Sequence, residues 1–262
     1  MTIHLLVCIL ACGFFSDGRE AGCAAGPAAW AGSASSALDT PAGLVRIEGW
    51  ECFSGISAPG FGNGFRATAG GGWNPGPFAA ALGLGLGQGA GESPDTLVAV
   101  LSAAKVLTGN PIGFMEGLFG PSISFGGYIE FVHTSGDTTD ACILGGGGVQ
   151  FSVFPSFAVG VNGLDFRISG DTPWESSWEY GIAHVFNRDI RGHLTVSGGD
   201  VAAGADLTLM DGLRISTGTD GSSWSIGTGV ETGRFTVDYG LDMKGSGVVH
   251  TLSVRFSTVE GW

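Results

Sequence analysis

Charge is scarce in this chain. Asp, Glu, Lys and Arg make up 13% of its 262 residues, about half the share of roughly 25% in ordinary soluble domains. Cations are scarcest: 11 Lys and Arg stand against 24 Asp and Glu, a formal net charge of −13. With no basic stripe to neutralise phosphates, nucleic-acid binding is excluded as a reading. There is also no internal run of about 18 apolar residues, so no helix is expected to span a bilayer. Cysteine is confined to positions 8, 12, 23, 52 and 142. Cys52 and Cys142 can pair only if the fold brings them together, which sequence cannot fix, and two unpaired thiols are the expected state.

Catalytic constellations are missing as well. His133 and Asp137 lie near each other, with His184 and His193 later, but no spacing matches a metal-ligand set. No GxSxG elbow occurs at a strand-to-helix turn, and Gly145–Gly148 has no following Lys or helix to cradle phosphate. Asp137, Asp140 and the Gly-rich loops lack EF-hand spacing. The expectation is a non-enzyme with no catalytic residue, no metal and no cofactor.

Glycine and aromatics are plentiful: 49 Gly, 17 Phe and 7 Trp. The last forty residues show how they are used. In the run 235–243, Phe235, Val237, Tyr239, Leu241 and Met243 share one side, and Thr236, Asp238, Gly240 and Asp242 the other. In the run 248–256, Val248, Leu252, Val254 and Phe256 share a face with His250, opposite Val249, Thr251, Ser253 and Arg255. Strict alternation makes strands with one apolar and one polar face. A polar face of Gly, Thr, Ser and Asp suits a water-filled lumen, and an apolar one suits lipid. A transmembrane β-barrel hides its apolar residues in this way without any long hydrophobic run. The lipid-facing candidates are therefore Phe235, Val237, Tyr239, Leu241, Leu252, Val254 and Phe256. The lumen-facing candidates are Asp238, Asp242, Ser253 and Arg255. A soluble sandwich or β-solenoid fits the same alternation, and an extracellular fibrous protein fits less well because the polar positions are irregular.

Residues 1–27 read as an export signal: Leu5–Phe15 is an apolar stretch too short to span a bilayer, followed by small residues at 21–29, although only His4 precedes it in place of a basic segment. Residues 9–12 and 21–23 faintly match lipoprotein cleavage boxes. Residues 28–44 form a small-residue N-terminal segment, and 45–262 the barrel.

Within that segment Ser36-Ala37-Leu38-Asp39-Thr40-Pro41-Ala42-Gly43-Leu44 resembles the "(S/A)AL-x-x-NPAGL" signature of FadL-like outer-membrane barrels, including the PorV/PorQ family. Thr40 stands where that family usually has Asn. Residues 157–164, 178–186 and 203–217 resemble the family's internal strands, and 235–256 its closing motif, with His250, Ser253, Arg255 and Phe256 at corresponding places. The resemblance implies a location in the outer membrane of a Gram-negative-type bacterium. It also implies that Pro41, Ala42, Gly43 and Leu44 belong to a plug tucked into the barrel mouth. The closing motif and short length favour the PorV-like branch, which implies a scaffold or shuttle for exported cargo, with outer-membrane lipid and a secretion component or cargo as partners. The alternatives are a FadL-like passage for small hydrophobic ligands and a purely structural barrel.

Alternation and turn chemistry predict about fourteen antiparallel strands. They start near Val45, Phe65, Phe78, Thr96, Ser122, Ile143, Phe157, Ser176, Ile190, Val201, Leu213, Ser223, Phe235 and Val248. Residues 95–107 also suit a short helix. Residues 109–120 are a longer loop, and 171–174 a second excursion. Pairing Met243 with Val248 and Val230 with Phe235 keeps the apolar faces together. It also sets Asp238 diagonal to Arg255, within reach of an ion pair. Trp224, Tyr239 and Trp262 are candidates for aromatic girdles. His184 is expected to be a packing or girdle residue. Phe256, rather than Trp262, is expected to end the closing strand.

Overall fold

The computed structural model describes residue 29 and residues 34–59, 64–88, 95–111, 120–136, 139–170, 175–187, 189–210, 212–244 and 247–258. The expected export signal, Cys8, Cys12, Cys23, the 171–174 excursion and Trp262 lie outside these residues, as does most of the 109–120 loop.

Fourteen antiparallel strands close on themselves. They are β1 (Gly49–Pro59), β2 (Phe65–Asn74), β3 (Phe78–Gln88), β4 (Asp95–Gly109), β5 (Ser122–Ser135), β6 (Asp140–Phe154) and β7 (Phe157–Ser169). They continue with β8 (Ser177–Val185), β9 (Ile190–Ser197), β10 (Asp200–Met210), β11 (Leu213–Thr219), β12 (Trp224–Thr232), β13 (Phe235–Lys244) and β14 (Gly247–Ser257). Each pairs with its sequence neighbours, and β14 returns to β1 with Phe256 opposite Cys52 and Leu252 opposite Ile56. Closure gives every strand two neighbours.

The pleat decides what each side shows. In β3, Leu82, Leu84 and Leu86 are exposed on the outer face while Ala79, Ala81, Gly83 and Gly85 are buried inside. Residues 95–107 are strand and not helix: their Ala and Leu alternate between faces, with Val98, Val100, Ser102 and Ala104 buried and Leu97, Leu101 and Ala103 exposed. Period two with β-branched inward positions overrides the helix propensity of Ala and Leu.

The wall begins at Gly49 and not at Val45. Residues 41–46 form a 3₁₀ turn in which Pro41, Ala42, Gly43, Leu44 and Val45 are all buried. Five consecutive buried positions cannot belong to a strand with one wet face, so this stretch lies inside the barrel.

The final hairpin has the predicted register, Met243 opposite Val248, Leu241 opposite His250 and Tyr239 opposite Leu252. The preceding one differs. Thr232 pairs with Phe235 and Val230 with Val237, across a two-residue turn, Gly233-Arg234, whose Gly233 has φ 58°. A left-handed glycine permits this tighter loop, and because the shift is even every side chain keeps its face. Cys52 is exposed on the outer face and Cys142 is buried on the inner face of another strand, so no disulfide joins them.

Candidate functional site

The interior is occupied by the N-terminal segment. A single helical turn, α1 (Ser36–Asp39), leads into the 3₁₀ turn Pro41–Arg46. Pro at the first position presets its φ, the Thr40 carbonyl accepts the Gly43 N–H at 2.9 Å, and the Leu44 carbonyl accepts the Ile47 N–H at 3.1 Å. Thr40 makes no side-chain cap. Leu38, Leu44, Val45 and Ile47 join one apolar cluster with Val98, Val100, Val132 and Leu144 of the wall. Leu38 and Leu44 are essentially inaccessible to solvent, and burial of this kind stabilises docking by roughly 2 kcal/mol per side chain.

Small wall residues make the close approach feasible. A Cβ at Gly126 would stand 2.5 Å from the Pro41 carbonyl carbon and 2.7 Å from the Ala42 nitrogen, and one at Gly72 would stand 3.1 Å from the Ala34 Cβ. Three wall side chains then pin the plug's backbone. Asn74 donates to the carbonyls of Val45 and Ile47 at 2.8 and 2.7 Å. The Ser124 hydroxyl donates to the Ala42 carbonyl at 2.9 Å. The Ala34 N–H donates to Glu51 Oε1 at 2.6 Å. Replacing Asn74 by Leu should keep the barrel closed but leave two buried carbonyls without their donor, at about 1–3 kcal/mol each. The expected readout is protease cleavage within residues 34–47 of an otherwise heat-modifiable barrel; an uncleaved segment would mean that the apolar contacts alone hold it.

The lumen is two-sided. Beneath the plug, β3 and β4 present mainly Ala, Val and Gly, while β5 and β6 set Val132 and Leu144 among Ser124, Tyr128, Glu130 and Gln150. The other side presents Thr195, Ser216, Ser225, Thr236, Thr251 and Ser253, together with His193, Asp206 and Asp238, all buried. These polar positions are packed inside the barrel and do not line a wide aqueous bore.

One place in the wall is irregular. The β6–β7 register shifts between Gly145 and Gly147, and Leu164 and Asp165 fall in the gap on β7. Asp165 has φ 59°, a conformation uncommon for non-glycine residues. Tyr128 of β5 braces it: its hydroxyl donates to Asp165 Oδ1 at 2.8 Å and accepts the Asp165 N–H at 3.0 Å. To get there the Tyr128 ring crosses Gly146, where any Cβ would overlap it. The Gly145–Gly148 run therefore clears space inside a strand. Beyond Leu164, opposite Ser177, β7 and β8 no longer pair.

Of the residues picked out from sequence, Pro41, Ala42, Gly43 and Leu44 lie buried in the lumen. Asp238 and Ser253 are buried on the inner face as register partners, and Asp242 and Arg255 are half-buried there. The expected Asp238–Arg255 pairing does not form as the main contact. Asp238 pairs with Arg214, which reaches it over Gly229, where a side chain would collide with both groups. Arg255 lies with its Nε 3.8 Å from Glu51 Oε2, and Asp242 takes Lys244 at 3.1 Å. On the outer face Phe235, Val237, Leu252 and Val254 are exposed, and Tyr239, Leu241 and Phe256 are half-exposed. His184 packs beside Phe157 and Phe186, with ring centroids at 6.3 and 4.5 Å.

Sequence reasoning missed Glu51, Asn74, Ser124, Tyr128 and four carboxylates. Asp39 on the plug faces Glu179 and Asp165, and Glu130 faces Asp165 and Asp39. Burial, then the Glu179 and Asp165 charges, pushes the Asp39 carboxyl up to about 8. Burial also lowers the Arg46 guanidinium to about 10, which leaves it cationic at neutral pH. Each of the four acids stands alone in its own segment, so only the fold reveals the group. Among the described residues no cluster of His, Cys, Asp or Glu has the geometry of a metal site.

No protein-family model matches the chain, and no curated protein matches it by sequence. Solved structures do. The CymD monoaromatic hydrocarbon channel aligns with a TM-score of 0.60 at 14% identity, covering 95% of this chain and 99% of that one. A Pseudomonas aeruginosa FadL homologue gives 0.61 at 10% identity over 92% and 98%. The Pseudomonas putida toluene transporter TodX gives 0.58 at 12% identity over 92% and 96%. What they share is the fold. At these identities the likeness extends to the closed barrel over nearly the whole length of each chain, and no further.

Proposed function

We propose that this chain is an outer-membrane barrel that passes small apolar molecules, with the N-terminal segment as its plug. The observation that carries this reading is the apolar inner wall beneath the plug. A movement of residues 34–47 uncovers an apolar patch of Val98, Val100, Val132 and Leu144 beside Ser124, Tyr128 and Glu130, a patch that favours an apolar solute over a sugar or ion. At the rim where β1 begins, an open cleft of about 720 Å³ lies between Val45 and Ile47 and the Pro75–Pro77 turn, at the mouth beside the plug.

The outer face supports the membrane part of the reading. Trp50, Trp73, Phe78, Phe154, Phe186 and Phe235 are exposed near the end of the barrel where β1 begins, and Phe65, Phe166, Trp178 and Trp224 near the opposite rim. From Phe235 to Met243 the wall rises roughly 20 Å at ~3.3 Å per residue and ~40° tilt, close to the ~25 Å apolar band of such barrels. On the outer face Tyr239 and His250 satisfy each other, with Oη and Nδ1 2.7 Å apart, as two polar groups facing lipid need to. The hydrocarbon channels and toluene transporter that share the fold point to the same substrate class. The secretion scaffold implied by the closing motif has no counterpart among them.

Uptake of labelled toluene into proteoliposomes should exceed that of protein-free vesicles severalfold, while uptake of a monosaccharide of similar size stays at background. Equal uptake of both would make the barrel a general pore. Uptake of neither would return the scaffold or structural readings to first place.

A further inference from the structure

The acids gathered around the plug have no part in moving an apolar solute, and their placement asks for another role. Asp39 ends α1, which packs on β3 and β4. Those strands present only Gly, Ala, Val, Ser and Thr inward, so they offer the carboxylate no charge. The groups that face it come from across the lumen: Glu130, with Tyr128, from β5; Asp165 from β7; and Glu179 from β8. The cation of its own segment, Arg46, lies at the far end of the 3₁₀ turn. Glu130 is only 5% exposed, and its Oε1 has no hydrogen-bond partner. A buried ionised carboxylate without a donor is costly, and an Asp39 carboxylate facing the charges of Glu179 and Asp165 adds to that cost. Protons remove that cost.

We infer that the plug is proton-gated: it is seated while Asp39 holds its proton among the acids of the wall and released as Asp39 ionises. This rests on the reading of residues 34–47 as the plug, though not on what the barrel passes. The direction follows from linkage. The Asp39 carboxyl, ordinarily near 3.8, is raised to about 8 in the seated plug. Seating therefore binds protons, is firmest below pH 4, weakens from there upward, and is least favoured once pH exceeds 8.

The test is leak of a small neutral dye from vesicles containing the full chain, measured from pH 5 to 9 with the chelator EDTA present. Wild-type leak should rise at least tenfold across this range. Asp39→Asn keeps the shape of the side chain without its charge, so its leak should stay low and flat. Glu179→Gln should flatten the profile in part. Protease cleavage within residues 34–47 should follow the same pH course, and heat modifiability at every pH should show the wall intact. A flat wild-type profile would overturn the inference, as would an unchanged profile in Asp39→Asn. Replacing EDTA with millimolar calcium should leave the alkaline leak high; full closure by calcium would overturn proton gating in favour of a metal staple. High leak at all pH values, with the segment always cleaved, would instead sink the plug reading itself.

Discussion

Arginine at Leu252 or Val254 should destabilise the barrel by about 2–4 kcal/mol in a bilayer, the cost of that cation near the midplane. Both side chains are exposed on the outer face, 44% and 40%, with Leu252 halfway along β14 and Val254 one pleat nearer its end, so the larger cost belongs to Leu252. Met243→Arg is the control, because Met243 is equally exposed, at 45%, but sits one residue from the rim of β13. There the cost should fall to about 0–1 kcal/mol. Urea unfolding from lipid vesicles, followed by gel mobility without boiling, measures all three. A soluble barrel would make the three substitutions alike. Ser253 is unsuitable as an inner-face control, since it is 6% exposed and faces Asp238 across the ladder.

Deleting residues 30–43 should leave a closed barrel whose leak to small solutes is at least tenfold higher. The deletion removes Ala34, Leu38 and Pro41–Gly43 from the lumen but no strand, since the wall starts at Gly49. The opposing consideration is energetic. Leu38 belongs to the main apolar cluster, and its loss bares Val98, Val100 and Val132 to water, a loss of roughly 2 kcal/mol for that side chain. Fourteen hydrogen-bonded ladders should outweigh it. Loss of the heat-modifiable band would show that the segment is part of the core on which the wall depends.

Much of the wall was legible in the sequence because period two is a local signal. Phe235, Val237 and Leu252 declare their face without reference to any other strand, and Gly and Pro mark most turns within a residue or two. The first element was misread because Leu44 and Val45 are apolar for a reason foreign to a strand: both are buried in a lumen built by residues far along the chain. The Asp238 partner was misplaced because adjacency on paper favoured Arg255, whereas Gly229 opens a path to Arg214 two strands away. Nor could the sequence show that Asn74, in what reads as a turn, serves two carbonyls of the plug. The four carboxylates meet only across a closed lumen, a contact that no spacing encodes.

Glu51 holds the Ala34 amide from β1 and has Arg255 of β14 beside it. Next to them the Trp50 amide donates to the Thr258 hydroxyl, 208 residues away in sequence. The acceptor that fixes the start of the described segment is thus braced by the last strand to be made. Before β14 meets β1, Glu51 lacks its neighbouring cation and the segment lacks a finished seat. A contact made ahead of the first wall strand is therefore completed only when the last strand arrives, while Asn74 and Ser124 hold the rest of the plug from β2 and β5. The Ala34 end of the plug is thus tied to the seam of the barrel, where the two ends of the wall meet.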